Sequence, residues 1–129
     1  MKIVSTPLAP EPAGHYSQAV VHEGMVYISG QGPREPGDVG GCPRTIETQT
    51  ILVLTNIGAL LRAAGSSPDR VLKVTIYLTD MNLWATVNQL YGAFFGVHRP
   101  ARTVIPVPEL RHGYLLEIDA VAAVSSPRI

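Results

Sequence analysis

The chain has 129 residues, of which 46% are hydrophobic and 16% are charged, and this composition excludes a disordered polypeptide. Ten basic residues balance ten acidic ones. No excess positive charge is therefore available to hold a nucleic-acid backbone, and we expect no nucleic-acid partner. The length fits one globular domain, which we predict to cover residues 1–129.

The sequence also does not indicate a membrane span, a disulfide or a metal site. The N-terminal segment has no continuous apolar stretch, and no part of the chain reaches the roughly 20 apolar residues needed to cross a bilayer, so we expect a cytoplasmic protein that does not bind membranes. Cys42 is the single cysteine and is interpreted as a loop thiol. The four histidines are scattered without the i, i+4 spacing of a helical metal site, and we predict no metal.

The chain is predicted to begin with an extended arm and a β-hairpin. Three prolines in the first dozen residues disfavour a helix or a central strand there. Residues 18–22 and 25–29 read as two strands around Glu23-Gly24, where glycine can supply the positive φ of a tight turn. Residues 30–43 are rich in glycine and proline and predict an irregular loop.

Two helices are predicted from apolar residues at spacings of three and four. The first covers residues 45–64 and ends before Gly65, where a left-handed residue is common. Its apolar positions are Ile51, Leu54, Ile57 and Leu61. The second is capped by Asp80 or Asn82 and ends at Gly96. Its apolar positions are Leu83, Val87, Leu90 and Phe94.

Further strands follow each predicted helix. Residues 71–78 alternate between a mixed set and an apolar set, which predicts one buried face. The apolar set is Leu72, Val74, Ile76 and Leu78. Residues 114–124 predict a central or interface strand, and residues 104–107 a short one. The order β-β-α-β-α-β favours an α+β fold with two helices packed on one face of a mixed sheet.

Glu117 is the most informative candidate for chemistry, because it interrupts an apolar strand. If it is buried, a carboxylate there needs a partner or a function, and it could act as a general base. Alternatively it points to solvent at a sheet edge, together with Asp119 on the same alternating face. The residues alone leave both interpretations open.

Arg102 and the Ser29-Gly30 segment are the other candidates. The planar guanidinium of Arg102 can bind a carboxylate through two parallel hydrogen bonds, although such an arginine is more often a surface or interface ion-pair residue. Ser29 and Gly30 end a predicted strand, so their backbone could approach a small ligand or simply form a turn. Ser17 and Ser29 lack the pattern of a hydrolase nucleophile.

Segments in a fixed order over more than a hundred residues resemble the RidA/YjgF family. They are AGHYSQA at 13–19, VYISGQ at 26–31, AAGS at 63–66, VLKVTIYLTDM at 71–81, PART at 100–103 and LEI at 116–118. The resemblance implies a chorismate-mutase-like (YjgF-like) α+β fold and a barrel-like homotrimer with active sites between subunits. It also implies a 2-iminobutanoate/2-iminopropanoate deaminase-type hydrolase, which converts reactive 2-imino acids, such as those derived from 2-aminoacrylate, to 2-keto acids and ammonia without a cofactor.

The resemblance also implies a set of site residues. Arg102 would bind the substrate carboxylate, and Glu117 would position or activate the attacking water. Substrate-binding positions carried over in the same way are Tyr16, Ser29, Gly30, Asn88, Thr103 and Val104. The chain departs from the family pattern at His15, Gly32, Val104, Pro106 and Pro108, which changes the expected wall of the cleft.

These departures keep other functions open. One is a specialised Rid-family deaminase or tailoring enzyme with an unusual imine substrate. Another is a non-catalytic small-molecule-binding trimer, which retention of both Arg102 and Glu117 argues against. RNA cleavage, a label that some relatives carry, ranks last because the chain has no basic stripe interleaved with aromatic residues.

Overall fold

A computed structural model describes residues 1–37 and 41–125, which form one mixed sheet and two helices. The sheet order is β1-β2-β3-β6-β4-β5, and only the β4–β5 pair is parallel. The strands are β1 Lys2–Val4, β2 Ala19–His22, β3 Met25–Gln31, β4 Val71–Leu78, β5 Ala101–Pro106 and β6 Leu116–Ala123. The helices are α1 Ile46–Ala63 and α2 Trp84–Phe95. They pack together on one face of the sheet, which confirms the predicted α+β arrangement.

The predicted hairpin is confirmed at its turn. Glu23 and Gly24 both have positive φ, at 50° and 78°, the combination that a two-residue turn between right-twisted strands requires. β3 runs two residues beyond the prediction, because Gln31 still pairs with Ile118 of β6 after an irregularity in register. β1 is a short edge strand within the predicted extended arm, ahead of the first proline.

The first helix is confirmed, with one correction to its buried face. Thr45 caps α1 by accepting a hydrogen bond from the Thr48 amide at 3.1 Å, and Gly65 follows with a φ of 79°. Ile51, however, is 53% exposed. It lies beside the buried residues of the helix, which include Thr50, Val53, Leu54, Ile57, Leu60 and Leu61.

β4 has the predicted bounds, but the alternation fails at its first two residues. Leu72 is 48% exposed, whereas Val71 is fully buried. The register against β6 shifts between Val71 and Lys73, and such an irregularity reverses the faces of the residues before it. From Val74 onward the predicted apolar face is buried.

The buried face of the second helix was predicted in part, since Val87 is buried and Leu83 and Phe94 pack partly buried against the core, whereas Tyr91 and Phe95 were not expected there. Leu83 belongs to a 3-10 turn capped by Asp80, whose carboxylate accepts from the Asn82 amide at 2.9 Å. The buried residues of α2 are Val87, Tyr91 and Phe95, whereas Leu90 and Phe94 are half-buried. Neither helix in the described part of the chain is long and apolar enough to span a bilayer.

β6 lies between β3 and β4, which confirms the prediction of a central strand. The suggestion that Glu117 points to solvent at a sheet edge is therefore wrong. β5, predicted at 104–107, runs from Ala101 to Pro106 and forms the exposed edge. Side chains alternate between the two faces of a strand, so every second residue of β6, including Glu117 and Asp119, lies on the face that the helices do not cover.

Gln18 fixes the N-terminal arm to the sheet. Its side chain is 3% exposed and accepts from the Thr6 amide at 2.8 Å. It also donates to the carbonyls of Thr6, at 3.0 Å, and Pro10, at 2.9 Å. The arm has little regular structure of its own, so one buried amide replaces a strand ladder.

We expect Gln18→Ala to lower the free energy of unfolding by about 2–4 kcal/mol, because it leaves several partly buried backbone groups without a partner. Urea denaturation of the variant and of Gln89→Ala checks this. Gln89 is exposed on α2, so its replacement should change stability by less than about 0.5 kcal/mol. Equal losses in the two variants would contradict this role of Gln18.

Candidate active site

A pocket of about 120 Å³ opens where β3 ends and β6 begins. Its wall combines the N-terminal arm, the end of β3 with the loop after it, and the loop that leads into β6. The residues in contact with it are Pro10, Ala13, Tyr16, Gln18, Gly30, Gln31, Gly32, Arg34, Arg111, His112, Tyr114 and Glu117. Both polar and aromatic groups therefore face a space suited to a small molecule.

Two glycines make room for the side chains that define this pocket. A Cβ atom on Gly30 would lie 3.2 Å from the Glu117 carboxyl carbon, and one on Gly32 would lie 2.4 Å from the Tyr114 ring. Neither glycine has a positive φ. A side chain at position 32 would collide with the Tyr114 ring, whereas one at position 30 would push the end of the Glu117 side chain by a few tenths of an ångström.

Glu117 is the acidic group of the pocket. Its carboxyl is half-buried and forms no ion pair or side-chain hydrogen bond with the residues that the structure describes. Burial raises the pKa of Glu117 above the ordinary value of 4.5, the Asp119 carboxylate adds to the rise, and the Arg111 guanidinium opposes it. The raised pKa makes this carboxylate a stronger base than an ordinary exposed glutamate, which suits it to accept and return a proton.

Tyr16 and Gly30 lie beside Glu117 in the pocket wall, whereas Ser29 does not. The Tyr16 hydroxyl accepts from the Ala13 amide at 3.2 Å, which holds the ring against the arm. The Ser29 hydroxyl donates to the Ser17 carbonyl at 2.6 Å. That side chain therefore ties the segment before β2 to β3. His15, a departure from the family pattern, is not part of the pocket wall.

Arg102 is held in a separate cluster at the edge strand. Its guanidinium lies 4.8 Å from the centre of the Trp84 ring and 4.9 Å from that of Tyr91. Its Nη1 donates to the Asn88 side-chain oxygen at 2.8 Å. No carboxylate among the described residues pairs with it, so the rest of the guanidinium fork is oriented and available.

Arg102 and Glu117 lie on opposite faces of the sheet. Arg102 of β5 pairs with Val74 of β4, and Glu117 of β6 pairs with Tyr77 of β4, three residues further along that strand. An odd separation along a strand places residues on opposite faces. β4 also lies between the two strands that carry them, which separates them laterally by about 10 Å. One copy of the chain therefore does not bring these two charged groups together.

The remaining predicted residues divide between the two faces. Thr103 shares the face of Glu117, and its hydroxyl contacts the Lys73 ammonium. Val104 packs against the core on the helix side, as does the stacked Arg102. The structure thus groups Tyr16, Gly30 and Glu117 in the pocket and, separately, Asn88 with Arg102.

Four ionisable residues of the pocket wall were not predicted from the sequence. They are Arg34, Arg111, His112 and Tyr114. All lie in or next to loops, where no periodic pattern reveals which way a side chain faces. The one available signal was Gly32, whose departure from the family pattern makes room for the Tyr114 ring.

Comparisons with known proteins define the class. Residues 6–124 match the family model described as Endoribonuclease L-PSP. A RutC family protein of Pyrococcus horikoshii is 42% identical, with 94% of this chain and 96% of that protein covered. The 2-iminobutanoate/2-iminopropanoate deaminase of Bos taurus is 40% identical, with coverage of 94% and 88%. The crystal structure of Escherichia coli TdcF with bound serine has a TM-score of 0.91 at 38% identity, covering 97% of this chain and all of that one.

The fold and the matches together define a small α+β protein of the Endoribonuclease L-PSP class. The chain belongs to the RidA/YjgF family. This confirms the resemblance carried by the short sequence segments and the YjgF-like fold that it implied.

The raised pKa of Glu117 implies that the stability of the folded protein depends on pH. The folded protein binds this proton more tightly than the unfolded chain does. The stability that the group contributes is therefore complete below the ordinary pKa and is lost as the pH rises through the folded value. Glu117→Gln removes the ionisation, so we expect a higher Tm than wild type at about pH 7 and convergence of the two at about pH 4.

Calorimetric scans across this pH range measure the difference. Glu109→Gln, at an exposed position in the loop before β6, is the matched control and should show no comparable stabilisation at neutral pH. A Glu117→Gln protein that is less stable than wild type at neutral pH would show that the carboxylate is favourably paired rather than desolvated.

Proposed function

We propose that the protein hydrolyses 2-imino acids to 2-keto acids and ammonia, in a site that two copies of the chain build together. The observation that carries the proposal is that Glu117 and Arg102 each lack an ionic partner among the described residues. One is a proton acceptor in a pocket, and the other is an oriented cation at an edge. Relatives at about 40% identity that are named imine deaminases support the same reaction class.

The position of Arg102 and Glu117 on opposite faces of the sheet supports a site that is shared between copies of the chain. Arg102 of one copy would reach the pocket of a neighbour, because its own pocket lies on the other side of its sheet. A heterologous contact of this kind closes into a ring when the rotation between copies allows it. We assign three copies to that ring, which gives three equivalent sites in a homotrimer.

In this proposal Arg102 binds the substrate carboxylate through two parallel hydrogen bonds. Asn88 fixes the orientation of the guanidinium, and the Trp84 and Tyr91 rings support its face. Tyr16 and the Gly30 backbone contact the substrate beside Glu117. Ser29, Thr103 and Val104 are assigned backbone contacts, since their side chains are directed elsewhere.

The reaction consumes one water and needs only proton transfers. Glu117 takes a proton from water as the oxygen adds to the imine carbon and returns that proton to the nitrogen, which gives a carbinolamine. The hydroxyl proton of the carbinolamine then passes to the nitrogen, the C–N bond breaks, and ammonia leaves as the C=O bond of the keto acid forms. The imine carbon is already electrophilic, so orientation and a positioned base supply most of the acceleration.

The test is ammonia and keto-acid release from imines generated in situ by an amino-acid oxidase. We expect Arg102→Ala and Glu117→Ala each to lower kcat/KM by at least about 100-fold. Arg102→Lys keeps the charge but not the fork, so its kcat/KM should fall between those of Arg102→Ala and wild type.

Arg62→Ala and Glu47→Ala, at exposed positions of α1, are the controls and should retain wild-type rates. A wild-type protein that releases ammonia no faster than buffer would overturn the proposal, as would full activity in either Arg102→Ala or Glu117→Ala.

A further inference from the structure

The pocket has a second charged region, which the proposed chemistry does not use. Arg34 lies in the loop after β3, and Arg111 and His112 lie in the loop before β6. All three contact the same pocket as Glu117. One nitrogen of the Arg34 guanidinium donates to the Glu11 carbonyl. The other N–H groups of the guanidinium can still donate to a ligand. Two separate loops therefore direct cationic side chains toward one space.

This region has more positive charge than a simple imino acid requires. Among the described residues of the pocket wall, Glu117 is the single acidic one, against two guanidinium groups and an imidazole. The substrate carboxylate is already matched by Arg102 in the shared site. The Glu117 carboxylate, which interacts with Arg111, cannot balance both arginines, and a cleft with an excess of one sign of charge attracts the opposite sign. A second anionic group on the substrate fits this surplus.

The wall that carries these charges is built from closely packed groups. The Tyr114 ring occupies the space that a side chain at position 32 would need, and the His112 ring lies 5.6 Å from it, centre to centre. His112 has a φ of 57°, a left-handed conformation that non-glycine residues rarely adopt and that is concentrated at functional sites. Burial raises the pKa of Tyr114, and the nearby charges of Arg34 and Arg111 oppose that rise. Both cations therefore act on the Tyr114 hydroxyl.

We propose that Arg111 and Arg34, with the Tyr114 hydroxyl of the same pocket, bind a carboxylate at the far end of the substrate side chain. The protein then selects imines of dicarboxylic amino acids over those with neutral side chains. This inference rests on the proposed function for the reaction, but it concerns binding at residues that the reaction does not use.

Binding of two keto acids tests it without any turnover. 2-Oxoglutarate and 2-oxopentanoate have the same five-carbon chain and differ in the distal carboxylate. Calorimetric titration at fixed ionic strength should give a Kd at least about tenfold lower for the dicarboxylate, the size of effect expected of one charge-assisted pair. Arg111→Gln should abolish that preference and leave the affinity for 2-oxopentanoate nearly unchanged.

The control is Arg62→Gln, an exposed arginine on α1, which should keep the preference. Arg34→Gln provides a second variant on the other loop and should reduce it. Equal affinities for the two keto acids, or a preference that survives both Arg111→Gln and Arg34→Gln, would overturn the inference.

Failure of this inference is distinguishable from failure of the proposed function. Rapid hydrolysis of imines with neutral side chains, with no dicarboxylate preference in binding, would refute the selectivity and leave the deaminase. A dicarboxylate preference that depends on Arg111, in a protein that hydrolyses no imine, would support the anion site and refute the deaminase.

Discussion

The one-sided cover of the sheet is the constraint on which the site depends. The two helices bury the face formed by alternate residues of β4 and β6 and leave the other face without a layer of its own. A carboxylate in the middle of an apolar central strand is tolerated only on that second face. The same geometry places Glu117 and Arg102 on opposite sides, so a site that uses both needs a second copy of the chain.

The half-buried acid at position 117 lowers the stability of the folded protein at neutral pH. A half-buried carboxyl without an ionic partner among the described residues is costly in its charged form, and this cost is the cause of its raised pKa. Gly30 leaves space for the carboxyl. Arg102, unlike Glu117, is held by direct side-chain contacts, because an amide and two aromatic rings fix the guanidinium without neutralising its charge. Both groups are prepared for a ligand rather than for each other.

Periodicity predicted the elements better than it predicted their buried faces. The hairpin, α1 and β4 were found because their turn residues and alternation are local signals. Leu72 was misplaced because the register shift beside it depends on a strand that lies some fifty residues further along the chain. The cationic part of the pocket was missed because Arg34 and Arg111 lie on loops. The residue pattern itself indicated Glu117 and Arg102 as candidates and the family resemblance implied their roles, but their placement on opposite faces required the strand register.

Complementation between inactive subunits tests the shared site most directly. Arg102→Ala and Glu117→Gln proteins are mixed, unfolded and refolded together, and imine hydrolysis is compared with that of each variant alone. In a ring of three, random mixing leaves about one site in four with both groups intact, so about a quarter of the wild-type activity should return. Refolding Arg102→Ala with the Arg102→Ala/Glu117→Gln double variant controls for the procedure and should restore none. If wild-type protein recovers its activity through the same refolding while the mixed variants stay inactive, each copy holds a complete site and the account is contradicted.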